Sequence, residues 1–166
     1  MKSYIIPPDR TIRTKTARER EAYKRRLLAA FVRWRDILDL NHWRITVQFQ
    51  DEPYSQDDDD NHTVAVTSAT SKYLRAQINV AFADTAVFER DAEEVVVHEL
   101  LHVAISCLVH PLLDRLHVDG AKFALHLEEQ VVTQLARTFV RLAKASPRAL
   151  TAGSKEQSPD SPVHNH

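Results

Sequence analysis

The stretch Val95-Val96-Val97-His98-Glu99-Leu100-Leu101-His102-Val103-Ala104-Ile105 decides the reading of this chain, because it is apolar throughout except for two histidines and one glutamate. On a helix, residues four apart lie one turn above each other, so the imidazoles of His98 and His102 lean over one face and can close on a single metal ion. Glu99 sits beside the first of them, where a carboxylate can take a proton from a metal-bound water. That is the mechanical content of an H-E-x-x-H pattern. The bland alternative is a core helix whose histidines are satisfied by neighbours. Two imidazoles and a carboxylate in an otherwise apolar run are costly to desolvate without compensation, and metal ligation supplies it.

The remaining composition limits what can surround this helix. A chain of 166 residues has room for one domain with a core of its own, and its net charge of -1 does not suit a globally basic nucleic-acid binder. One cysteine, Cys107, excludes an internal disulfide and leaves His and carboxylate as the metal donors. Two glycines in the whole chain leave no Gly-rich phosphate loop. The N-terminus lacks a signal-peptide core and no apolar stretch is expected to reach the length of a bilayer span, so a cytoplasmic protein without membrane contact is the default expectation.

Outward from the motif, residues 1–16 read as an extended or disordered arm, 17–144 as a single domain and 145–166 as a disordered, Pro-rich tail. From Thr16 to Leu40, apolar Ala17, Tyr23, Leu27, Ala30, Phe31, Trp34, Ile37 and Leu38 recur at three- and four-residue steps, which predicts a long amphipathic helix. Its other face carries Arg18, Arg20, Lys24, Arg25, Arg26, Arg33 and Arg35. Solvation is the default for such a face, with nucleic acid as the alternative. Trp43 to Gln50 alternates apolar and polar, with Trp43, Ile45, Val47 and Phe49 inward. Residues 63–67 and 75–81 read as two further strands of a small, mostly antiparallel sheet. Asp51 to His62, with Asp57-Asp58-Asp59-Asp60, reads as an exposed loop, since its run of like charges repels itself and lacks the alternation of a calcium loop. A short helical turn is expected after Phe82, and Asp91 to Glu94 should cap the motif helix, which Pro111 should end. A last helix over about 121–144 should bury Leu125, Val132, Leu135, Phe139 and Leu142. The fold class is therefore α+β.

A catalytic zinc site needs a third protein ligand. The metzincin arrangement is excluded, because Ile105 and Leu108 stand where its glycine and histidine would be. His110, His117, His126 and the pair Glu128-Glu129 remain, the pair being favoured by its apolar surroundings.

With His98-Glu99-Leu100-Leu101-His102, Trp43-Arg44-Ile45 opening a strand, Gln77 to Ala81 before the motif helix, and Glu128-Glu129-Gln130-Val131-Val132 in the last helix, the chain resembles the gluzincin metallopeptidases. It is most similar to small phage- and prophage-type metallopeptidases, over about residues 34–143. The resemblance implies a zincin-like core, a Zn2+ cofactor, a peptide or protein substrate, and a glutamate on a later helix as third ligand. A polar group one turn beyond that glutamate selects Glu129, which Thr133 follows. Glu99 is then the general base, and His126, His117 or Tyr73 would donate to the oxyanion. The strand 75–81 would pair with extended substrate as an added edge strand. The chain departs from the thermolysin-like pattern in the 26 residues between His102 and Glu129 and in lacking an Asn-Glu motif. His117-Val118-Asp119-Gly120 is similar to the SprT-like proteases, which implies an alternative DNA-associated protease with His117 as third ligand. A non-catalytic metal protein that binds nucleic acid or protein through the basic helix is the other alternative.

Overall fold

The computed structural model describes residues 16–50, 64–82 and 90–145. Its elements are α1 (Ala17–Ile37), β1 (Arg44–Gln50), β2 (Ala65–Thr70), a 3-10 turn (Ser71–Tyr73), β3 (Arg75–Ala81), α2 (Ala92–Leu113) and α3 (Val118–Ala145), an α+β arrangement. The arm before Thr16, the acidic loop, the turn expected after Phe82 and the tail beyond Ala145 lie outside the described residues.

Local chemistry sets the start of α1. Thr16 accepts the Glu19 amide at 3.3 Å while Glu19 accepts the Thr16 amide at 2.8 Å, a reciprocal capping box. Tyr23, Leu27 and Trp34 form its buried stripe, with Ala30, Phe31, Ile37 and Leu38 at the margin. The Trp34 indole donates to Glu93 at 2.6 Å, which docks α1 on the first turn of α2. Many of the basic side chains on α1 are used within the chain. Arg33 pairs with Glu93, and Arg35 donates to the carbonyls of Leu40, Asn41 and Trp43, which closes the turn into β1. Lys24 and Arg26 lie over the rings of Phe49 and Tyr23 at 4.9 and 5.5 Å.

The sheet has the order β1-β3-β2, with β3 parallel to β1 and antiparallel to β2. It is mixed where a mostly antiparallel sheet is expected from sequence. The tight turn at 71–74, with Leu74 at φ 49°, forces β2 and β3 into an antiparallel hairpin and leaves the other side of β3 for β1. The strand 75–81 is thus the centre of the sheet, and the expectation that it receives substrate as an edge strand is corrected: both of its edges are occupied. β2 is also longer than expected, running on to Thr70. Register places Ile45, Val47 and Phe49, Ala76, Ile78 and Val80, and Ala65, Thr67 and Ala69 on one face, toward the helices. Phe82 continues that face, stacked on Phe49 at 5.1 Å and met edge-on by Tyr23 at 6.2 Å. Gln48, Gln77 and Asn79 share the polar face in a chain of side-chain amide hydrogen bonds.

α2 is the core helix. Val95, Val96, Val97, Leu100, Leu101 and Val103 are all buried, on sides that meet α1, the sheet and α3. Contrary to the sequence expectation, α2 is long and apolar enough, by length and composition, to cross a membrane. Apolarity on nearly every side is also what a helix enclosed by other elements requires. Asp91 caps α2 by accepting the Glu93 amide at 3.0 Å, whereas Glu94, expected to share the cap, reaches Arg137 on α3 at 3.0 Å. The helix ends soon after His110, as expected, with Pro111 in the last turn and Leu113 the final residue.

α3 begins at Val118, earlier than expected, and runs antiparallel to α2. Lys144 on Asp91 and Arg137 on Glu94 tie the end of α3 to the start of α2. Its buried residues are Val132, Ala136, Val140 and Ala143, with Phe139 packed at the edge, so Leu125, Leu135 and Leu142 belong to other sides of the helix. Small residues on the inner face let α3 come close to the bulkier surface of α2.

Two positions on α2 test this packing. Leu100 is fully buried and Leu108 is 67% exposed. Leu100→Ala should destabilise the fold by about 2–5 kcal/mol and Leu108→Ala by less than about 0.5 kcal/mol, read from urea denaturation midpoints.

Candidate metal centre

The α2–α3 hairpin explains how the site is assembled. In two antiparallel helices joined by the short link 114–117, residues equally far from the link face each other, which brings the His98–His102 turn opposite the Glu128–Glu129 turn. The first faces α3 because Val97, Leu101 and their neighbours occupy the other sides of α2.

His98 Nε2 and His102 Nε2 lie 3.1 Å apart, and Glu129 places one carboxylate oxygen 3.2 Å from the first and the other 3.3 Å from the second. A cation with ligand bonds of about 2.0–2.1 Å in tetrahedral geometry has donor–donor edges of about 3.3–3.4 Å. The two imidazoles are already near that spacing, and with one ligand atom taken from each residue the three donors lie within 4.8 Å of one another, so a shift of the Glu129 carboxylate would close the triangle on such an ion. Among the described residues these three form the one group of His, Cys, Asp or Glu side chains whose donor atoms cluster for a metal.

Glu128 has a different place from the ligand role weighed for it in sequence. Its Oε1 lies 2.8 Å from His102 Nδ1 and the side chain is only 12% exposed. In the neutral ring this contact keeps the hydrogen on Nδ1 and turns the Nε2 lone pair toward His98 and Glu129. Adjacent glutamates on a helix point about 100° apart, so one pair of residues supplies both a donor and the group that orients an imidazole.

Glu99 is buried, at 5% exposure. Thr67 on β2 donates to its Oε2 at 2.6 Å. Burial pushes the Glu99 carboxyl above its ordinary pKa, against the Thr67 hydrogen bond and the two histidines, which favour the carboxylate. His102 moves the other way from a simple buried imidazole. Burial opposes its charge, yet hydrogen bonds to Glu129 and Glu128 prevail and raise it to about 9. The same contacts, with His102 first and His98 next, hold Glu129 well below the usual carboxylate range.

The other sequence candidates lie outside this group. His110 is exposed near the end of α2, His117 is exposed in the link before α3, and His126 is engaged with Gln130 at 3.0 Å. Tyr73 is 64% exposed, with Lys72 Nζ 5.6 Å from its ring centre. Beside Glu129, residues Gln130, Thr133 and Gln134 line an open depression. Thr67 and the Glu128 contact were not anticipated from sequence. The available signal was the inward face of β2, Ala65-Thr67-Ala69, where a hydroxyl among small apolar residues calls for a buried acceptor.

Compared with known proteins, the chain matches no family model, no curated protein and no solved structure.

Proton competition gives a test without any substrate. In metal-free protein the raised His102 pKa stabilises the fold fully below about 6.5, and that contribution is lost as pH rises through about 9. Metal-free protein should therefore lose denaturant stability over this interval, and Glu128→Gln should flatten the profile. Zinc binding near pH 7.5 should release about one proton, measured by titration calorimetry in buffers of different ionisation enthalpy.

Proposed function

We propose that the chain is a zinc-dependent metallopeptidase in which His98, His102 and Glu129 hold the cation and Glu99 is the general base. The observation that carries this reading is the buried Glu99 carboxylate beside a three-donor cluster whose Glu129 lines an open depression. A structural carboxylate in that position would be a net cost, whereas a base that must accept a proton gains from desolvation. The donor set fits zinc, two imidazoles and one carboxylate being a common catalytic combination.

When bound, the cation would supply a Lewis acid that acidifies water and polarises a carbonyl. The chain's own residues do the rest. Glu128 fixes the His102 tautomer so that the ring presents a lone pair. Thr67 holds Glu99 Oε2, which leaves the other oxygen to take a proton from the attacking water and return it to the leaving amine. Burial raises the proton affinity of Glu99 and suits both transfers.

The substrate under this reading is an extended peptide or protein segment. β2 carries Thr67 and pairs only with β3 among the described strands, so its other edge is the place for main-chain hydrogen bonds to such a segment. Zinc as the metal, a phage or prophage setting and a cytoplasmic location come from the sequence resemblance and composition. A DNA-associated protease with His117 as third ligand is the weaker reading, because Glu129 already stands at that corner of the cluster.

Glu99→Gln should retain zinc and fold normally while peptide or casein hydrolysis falls by about 100- to 10,000-fold. Thr67→Val should lower kcat less, with zinc content unchanged. The assay is run with and without DNA. Equal cleavage by Glu99→Gln and parent would remove Glu99 as the base, and loss of zinc on His117→Ala would move the third ligand to His117.

A further inference from the structure

We propose that the first half of α3 is a metal-locked segment: without a cation it unwinds from Val118 through Glu129 while the rest of the fold holds, and a cation at His98, His102 and Glu129 keeps it wound. This rests on the metal centre described above and not on peptidase activity. The buried residues of α2 end at Ser106 and those of α3 begin at Val132. Within residues 107–131, at the tip of the hairpin, nothing is buried, and only Val109, Leu113, Gly120, Ala121, Ala124 and Glu128 are half-buried. The large apolar side chains there already face solvent, Leu112, Val118 and Phe123 being 62, 72 and 65% exposed. Opening this stretch therefore forfeits little of the burial that holds a helix down. Gly120, near the start of α3, weakens its first turns further.

Polar ties divide α3 at the same place. Beyond Val132 it is fastened to α2 by Arg137 on Glu94 and Lys144 on Asp91. Among the described residues, no side-chain hydrogen bond or ion pair joins the two helices on the tip side of Glu128. The metal donors straddle the boundary. His98 and His102 stand on the part of α2 that the core holds, with Val97, Leu100, Leu101 and Val103 buried around them, whereas Glu129 stands just outside the first buried residue of α3. In the metal-free chain the contacts of Glu129 with the imidazoles are open to water, the side chain being 57% exposed, and hold it weakly. Any opening of α3 that passes Glu129 releases the cation, so occupancy opposes that opening by the factor 1 + [Zn2+]/Kd. Glu129 and Gln130 line the depression together with Thr133 and Gln134, so the cation also fixes half of the wall beside the site.

The test is hydrogen–deuterium exchange of the full chain, stripped of metal by a chelator and then reloaded with zinc, beside a calorimetric zinc titration of the same protein. In the metal-free chain the amides of residues 125–131 should exchange about 10-fold or more faster than those of residues 132–143 in the same helix, with little dependence on low denaturant. Zinc at about 100 times its Kd should slow residues 125–131 about 100-fold, and less toward Val118, which can fray without releasing Glu129. Trypsin cleavage after the exposed Lys122 should slow in step. Glu129→Gln should keep the helical circular dichroism and retain the fast exchange at the same zinc concentration. Stoichiometric zinc binding that leaves exchange at 125–131 unchanged overturns this inference alone. Equal protection of the two halves of α3 in the metal-free chain does the same, including protection supplied by a segment outside the described residues. No zinc binding in the titration overturns the metal centre and this inference with it.

Discussion

Three polar side chains in the core helix must each be given a partner, and the rest of the fold is arranged around that requirement. α2 buries apolar residues on most of its circumference, so the buried Glu99 and the mostly covered His98 and His102, 20% and 21% exposed, have little access to water. Left alone, each would cost several kcal/mol in lost hydration. The sheet answers one of them through Thr67, and α3 answers the other two through Glu128 and Glu129. The site is therefore the junction of all three layers, and a change in the packing of any layer moves one of its polar groups.

The same dependence accounts for the rigidity the site needs. α3 is held against α2 by the close fit of Val132, Ala136, Val140 and Ala143, and at its far end by Lys144 on Asp91 and Arg137 on Glu94. The two ion pairs are exposed and contribute little individually. Their use is to set the relative register of the helices, which is what brings Glu128 and Glu129 level with His102. Glu129 remains more exposed than its partners, at 57%, so the donor nearest solvent is the one that comes from the outer helix.

Much of this was legible in the sequence wherever the deciding interaction is local. The three-and-four spacing of Tyr23, Leu27 and Trp34 gave α1, alternation gave β1 and β3, and the pair of histidines one turn apart gave the face that meets Glu128 and Glu129. What depends on partners far along the chain was not legible. Nothing within residues 75–81 says that this strand is central, because that follows from where β1 docks. Leu125, Leu135 and Leu142 satisfy helical periodicity as well as Val132 does, and only the small inner residues Ala136 and Ala143, which permit close approach to α2, reveal the true buried face. Pro111 marks the end of α2 to within two residues, since a proline in the last turn removes few hydrogen bonds and the helix closes at Leu113. Glu128 could be named a candidate, but its role as the orienting partner of His102 needed the geometry of both helices.

The account rests on one cation held by His98, His102 and Glu129. The most direct measurement is a crystal structure of zinc-loaded protein with anomalous diffraction at the zinc edge. The account predicts a single peak about 2.0–2.2 Å from Nε2 of His98, Nε2 of His102 and a carboxylate oxygen of Glu129, with Glu128 still on Nδ1 of His102. A peak ligated by His117 in place of Glu129, or no peak at these residues in protein carrying stoichiometric zinc, would contradict it.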